Sequence, residues 1–126
     1  MGFLAVFLGG GAGSVLRFLL SKYINDISNA LFPVGTLFVN VVGCFIIGFL
    51  FTVFEEMVVP SEIRLLLMTG FLGGFTTFSS FGLETVNLVK ENGALPALLN
   101  ISLNIITGLI FVVLGIILAG LLFRKR

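Results

Sequence analysis

The segment Gly70-Phe71-Leu72-Gly73-Gly74-Phe75-Thr76-Thr77-Phe78-Ser79-Ser80-Phe81 decides the fold. It lies within Leu65–Leu83, a stretch with no charged residue. Such a stretch belongs in a membrane, yet its middle suits a continuous helix poorly. Glycine in a helix interior costs about 1 kcal/mol relative to alanine, and here Gly73 and Gly74 are adjacent. Thr76, Thr77, Ser79 and Ser80 then place four hydroxyls within five positions. The pattern predicts a helix broken near its middle. Non-helical backbone at membrane depth is tolerated only where protein buries it or where it lines a cavity. Carbonyls freed by such a break can bind a cation. Close packing through Gly70 and Gly74, a small-xxx-small pair, is the alternative, but it leaves the hydroxyl cluster unexplained.

Outward from this segment lie three more charge-free stretches. Met1–Leu16 continues past Arg17 to Ser21, the second is Ile27–Phe54, and the last is Asn92–Phe123. A spanning helix needs about 20 mostly apolar residues. The chain is therefore an all-α membrane protein with one domain, 1–126, and helices expected over 3–22, 33–54, 62–90 and 94–122. Tyr23–Phe32, Glu55–Arg64 and the Lys90–Gly93 turn connect them. Ser61, after Pro60, is a candidate helix cap, and Pro96 falls in the first turn of the last helix. The opening apolar run lacks a positive n-region and merges into a full span, so it is not expected to be a signal peptide. Val6 stands where myristoylation wants Ser or Thr.

Composition agrees. Of 126 residues, 58% are hydrophobic and 10% charged, and the mean hydropathy is +1.22. A soluble domain carries roughly 25% charged residues, and at this length much of the fold is surface. The net charge of +1 makes no case for nucleic acid as a partner. There is no histidine and Cys44 is the single cysteine. Histidine–cysteine metal sites, histidine acid–base chemistry and an intrachain disulfide are thereby excluded. With no nucleophile–base pair, an enzyme is not expected. Tyr23 is the only tyrosine and tryptophan is absent, so the interfacial aromatic belt is thin.

Charge placement leaves orientation open. Arg64, Arg124, Lys125 and Arg126 would share one side, and Arg17, Lys22 and Lys90 the other. Four against three is a weak positive-inside bias. Either the basic tail sets one orientation, or the chain inserts both ways round and pairs as an antiparallel dimer.

Polar groups in hydrocarbon are expensive and usually face protein or water. Thr36, Asn40 and Gly43 are spaced four and three apart and share a helix face. Asn40 lies too deep to reach headgroups. It either bonds a neighbouring helix or aims an amide N–H into a permeation path. Phe78 and Phe81 share a face three residues apart. Such rings are commonly core or lipid-facing, but their positive edges can also stabilise a small anion beside hydroxyls. Glu84 lies about one turn beyond Phe81, within reach of the interface. Asn100, Asn104, Gly108 and Gly115 form one stripe of the last helix, for packing or as a polar track. The Gly9–Ser14 run is not a phosphate loop, because it lacks the Gly-Lys-Ser/Thr ending and follows no strand. Arg17 either snorkels or lends positive potential to a pore mouth.

These residues resemble the Fluc (CrcB-type) fluoride channel family. The matching pieces are Gly10-Gly11-Ala12-Gly13 with Arg17, Gly35-Thr36-Leu37 with Val39-Asn40 and Gly43, the Gly70–Phe81 segment, and Glu84-Thr85. The last helix matches through Asn100 and Gly108. The resemblance implies an antiparallel, dual-topology homodimer with two fluoride pores along its interfaces. It implies Phe78 and Phe81 as pore rings, Asn40 as a donor to the ion, and Thr77 and Ser80 as neighbouring hydroxyls. Carbonyls of Gly73 and Thr76 from both subunits would hold a central structural sodium ion. Arg17 would stand near the aqueous vestibule and Glu84 near the other pore end. Asn104 stands where the family often has a hydroxyl in its polar track, and an amide can also donate. A prokaryotic inner (plasma) membrane and passive fluoride export that protects the cell are implied with it.

Fluoride holds its water tightly, so a pore must replace those hydrogen bonds and avoid fixed anions. The inner part of every span lacks an acidic residue. A proton-coupled exporter normally needs an intramembrane carboxylate. A dual-topology small multidrug-type transporter would want a glutamate in the first helix, and Met1–Leu16 has none. A non-transporting assembly subunit would leave Asn40 and the hydroxyl cluster without a purpose.

Overall fold

A computed structural model describes residues 1–123, so the basic residues Arg124, Lys125 and Arg126 lie outside the described part. Every regular element among the described residues is helical. They are α1 (Gly2–Ser28), α2 (Val34–Glu56), α3 (Ser61–Arg64), a π-helical stretch (Leu65–Leu72), α4 (Gly73–Phe75), α5 (Phe78–Asn92) and α6 (Ala94–Phe123). Four spans are long and apolar enough to cross a membrane: Gly2–Ser28, Val34–Glu56, Ser61–Asn92 and Ala94–Phe123. The chain is a multi-pass membrane protein.

α1 runs beyond the expected end at residue 22, so Tyr23–Ser28 is helix rather than connection. It stops at Asn29, whose φ of 46° is left-handed and whose N–H closes on the Asn25 carbonyl. Asparagine tolerates that conformation better than most residues. Asn25 also accepts the Gly35 N–H at 2.8 Å, which ties the end of α1 to the start of α2. Pro60, not Ser61, caps α3, and the Ser61 hydroxyl donates to Glu62 at 3.1 Å instead. At the far end of α2 the Arg64 guanidinium donates to the Phe54 carbonyl and stacks 5.5 Å from the Phe54 ring centre. A cation at a helix C-terminus complements the dipole there.

Two close packings build the protomer. α1 lies against the π-helical stretch and α4, and α2 lies against α6. Each contact depends on glycine. A methyl group on Gly9 or Gly13 would strike the Leu66 or Phe71 carbonyl, and one on Gly48 or Gly115 would strike Val112 or Phe45. Backbones can approach this closely only where side chains are small, which is the usual basis of helix association in lipid. The second half of the third span leaves α1 and packs on α6. Its redirection occurs at Thr76 (φ −85°, ψ 157°) and Thr77 (φ −149°, ψ 118°), both extended between α4 and α5.

Candidate functional site

The extended pair is held by side chains that substitute for helix bonds. In an uninterrupted helix the Thr77 N–H would close on the Gly73 carbonyl. Here it donates to Asn40 Oδ1 at 2.8 Å. The Ser80 N–H would likewise close on Thr76, but it donates to Thr77 Oγ1 at 3.1 Å. Thr77 is thus the N-cap of α5, a position threonine favours because its oxygen accepts an orphan N–H. Both substitutions relieve the carbonyls of Gly73 and Thr76 of their helical donors.

Two cavities meet at Thr77. The first, about 350 Å³, is lined by Asn40, Gly73, Thr76, Thr77, Phe78, Phe81 and Asn104, with Cys44 and Met68 among its apolar walls. The second, about 280 Å³, is lined by Arg17, Lys22, Thr36, Thr77, Ser80 and Glu84. The structure therefore brings every expected pore, vestibule and sodium-site residue to one cavity or the other, while Asn100 lines neither. It does not bring them all to one place: Ser80, Arg17 and Glu84 line the second cavity, away from Asn40 and the two rings, and Arg17 and Glu84, expected at opposite pore ends, stand together there.

Phe81 is buried and Phe78 is 83% exposed, with ring centres 5.4 Å apart and planes tilted by 54°. Gly73 is exposed too, and a methyl group there would meet nothing within 4 Å. The first cavity thus reaches the outer face of the protomer.

Asn40 spends both amide hydrogens on protein: one on the Thr77 carbonyl at 3.1 Å, one on Asn104 Oδ1 at 3.0 Å. Of its two readings, the interhelical bond is realised. Asn104 turns its own N–H groups away, to the carbonyl and Oδ1 of Asn100, each at 3.0 Å. It meets Asn40 as an acceptor, which corrects the expectation that its amide donates into the track. In the second cavity the Thr36 hydroxyl donates to Glu84 Oε1 at 2.7 Å. Glu84 Oε2 is buried without a hydrogen-bond partner among the described residues. Glu84 is half-buried, and the Thr36 bond ties it to α2. The Ser80 hydroxyl accepts from Thr77 at 3.0 Å, which leaves its own hydrogen to donate.

Residues 4–116 match the family model described as CrcB-like protein, Camphor Resistance (CrcB). The chain belongs to the CrcB family. Among curated CrcB relatives, a protein of Hydrogenobaculum sp. is 46% identical over 97% of this chain and all of its own length. One from Aquifex aeolicus is 47% identical, covering 90% of this chain and 93% of the relative. One from Pyrococcus furiosus is 44% identical, covering 90% and 92%. All three are named fluoride-specific ion channel FluC.

The sequence of this CrcB chain displays Thr36, Thr85 and Asn100 but not the bonds that make them part of the site. Thr36 was visible on the Asn40 face, but its partner Glu84 is 48 residues away and no local pattern announces it. Thr85 receives the Asn100 amide at 2.9 Å and donates to the Phe81 carbonyl at 2.7 Å. The four-residue spacing of Asn100 and Asn104 was the available signal for that network.

Proposed function

We propose that the chain is a fluoride-selective channel that lets fluoride leave the cytoplasm passively, down its electrochemical gradient. The observation that carries this is the chemistry of the first cavity in a chain of this family. Its polar groups are amides, hydroxyls and carbonyls, set among ring and aliphatic side chains, with no ionisable side chain other than the Cys44 thiol. A fixed carboxylate there would repel the ion and a fixed cation would hold it too long; conduction needs binding that is favourable but weak. Arg17 and Lys22 outnumber Glu84 at the neighbouring cavity and so raise the local anion concentration there. Each ion that enters the first cavity exchanges water for ring edges and for an Asn40 N–H, which must release Thr77 or Asn104 for that moment. A membrane potential drives one charge with about 2.3 kcal/mol per 100 mV.

The working unit in this proposal is an antiparallel, dual-topology homodimer in a cell inner membrane. Its third spans are interrupted at mid-membrane depth, and its two pores run along the protomer interfaces. The exposure of Phe78 and Gly73 at the mouth of the first cavity supports it, since a second protomer would close that open side. Gly73 and Thr76 suit a structural sodium ion, because their carbonyls lack helical donors and Gly73 leaves open space above it. A sodium ion bound there would balance the partial negative charge of carbonyls gathered from two subunits. The protein is a conduit in this account, not an enzyme.

Purified protein in liposomes, loaded with potassium fluoride and given valinomycin, tests the function. Rapid fluoride release with chloride retained supports it. Release of neither ion, or of both at similar rates, rejects it.

A further inference from the structure

We propose that Asn100 is a positioning residue for permeation: it fixes which way round the Asn104 amide stands, and so whether Asn40 meets an acceptor or a donor there. The inference rests on the channel function proposed above. Asn100 is fully buried on α6 and lines neither cavity.

The polarity can be followed bond by bond. The Phe81 carbonyl can only accept, so the Thr85 hydroxyl donates to it at 2.7 Å. The Thr85 oxygen is then an acceptor towards Asn100, which turns its NH₂ to it at 2.9 Å. Asn100 Oδ1 is thereby left facing Asn104, beside the Asn100 main-chain carbonyl. Asn104 meets that pair of oxygens with its NH₂, each at 3.0 Å. Its own oxygen must face Asn40, which donates at 3.0 Å. The Asn40 oxygen then falls on the Thr77 N–H at 2.8 Å. Both ends of the chain are main-chain groups of the third span, whose polarity cannot change. Reversing any one amide sets oxygen against oxygen or N–H against N–H. In a low-dielectric interior such contacts are costly, and networks of this kind order themselves cooperatively.

Without the Asn100 side chain, Asn104 keeps only the main-chain carbonyl as acceptor and can turn over. Asn40 stays held by the Thr77 carbonyl and N–H, at 3.1 and 2.8 Å, so a turned Asn104 sets N–H against its NH₂. That clash displaces the two amides from the cavity wall, where the ion path needs a donor.

The test is a double-mutant cycle on the full chain in liposomes, with initial fluoride efflux as the readout. Asn100→Leu is made in the parent and in an Asn104→Ser background. A serine hydroxyl rotates to suit its neighbours and has no fixed polarity to be set. Expected is a loss of about tenfold or more in the parent, but less than about twofold in the serine background. Thr85→Val, nearly isosteric, removes the acceptor at the far end and repeats the cycle if Asn100→Leu does not fold. It should cost about threefold in the parent and nothing further in the serine background. A purely structural role costs the same in both backgrounds. Equal losses, or no loss in a conducting parent, overturn the positioning role and leave the channel function standing. A parent that passes no fluoride overturns both.

Discussion

Asn40→Asp puts an oxygen where the structure has an NH₂ 3.1 Å from the Thr77 carbonyl and 3.0 Å from Asn104 Oδ1. Two acceptors lose their donor at once, and the first cavity gains a negative charge. For a fluoride ion about 4 Å from that carboxylate, the repulsion is about 4 kcal/mol at an effective dielectric constant of about 20. Raised by that amount, a barrier slows passage about a thousandfold. Asn40→Ala separates the two effects, because it removes the donors without adding charge. A lost hydrogen bond of about 1–1.5 kcal/mol predicts a loss nearer tenfold. The assay is fluoride efflux from liposomes under a potassium diffusion potential, on variants that elute from gel filtration as the parent does. Aspartate within about twofold of the parent would remove Asn40 from the path. Equal losses for aspartate and alanine would refute the electrostatic part, leaving only the donor.

Four further outcomes follow from the same geometry. Phe81→Ile should lower fluoride throughput while the oligomeric state, read by gel filtration, stays that of the parent. Thr77→Val removes the cap of α5 and should cost about 1 kcal/mol of stability in denaturant titrations, together with a slower efflux. Arg17→Gln should reduce conductance at low ionic strength and lose its effect in concentrated salt, where the Debye length shrinks to about 3 Å at 1 M. Gly13→Val would drive a side chain into the Phe71 carbonyl. Overpacking of this kind costs about 1–3 kcal/mol, and thermal unfolding in detergent should show it.

The spans were legible because charge cannot stay in hydrocarbon, so charge-free stretches mark them directly. Their ends were less so. The first helix was expected to end at residue 22, yet α1 continues to Ser28, with Asn29 as its cap and Asn25 as its tie to α2. The π-helical bonding of Leu65–Leu72 leaves no mark in residue type. It accompanies the close approach of α1, a tertiary fact. Residue types alone picked out Asn40, Thr77, the phenylalanine pair and the polar stripe of α6, since each is expensive in a span. What they could not give is direction. An asparagine in the sequence offers donor and acceptor alike, and only the neighbours Asn100 and Thr85 determine that Asn104 faces Asn40 with its oxygen. The separation of Arg17, Ser80 and Glu84 from the first cavity was equally hidden, because it depends on where Thr77 turns the chain.

The central claim is that an uncharged path of amides, hydroxyls and ring edges passes fluoride by itself, uncoupled from any other ion. The reversal potential of the purified protein in a planar bilayer tests it most directly. Under a tenfold fluoride gradient the account predicts reversal near the fluoride equilibrium value, about 59 mV in magnitude for a single charge, unmoved when a pH gradient is added. Reversal near zero, or one that follows the pH gradient, would contradict it.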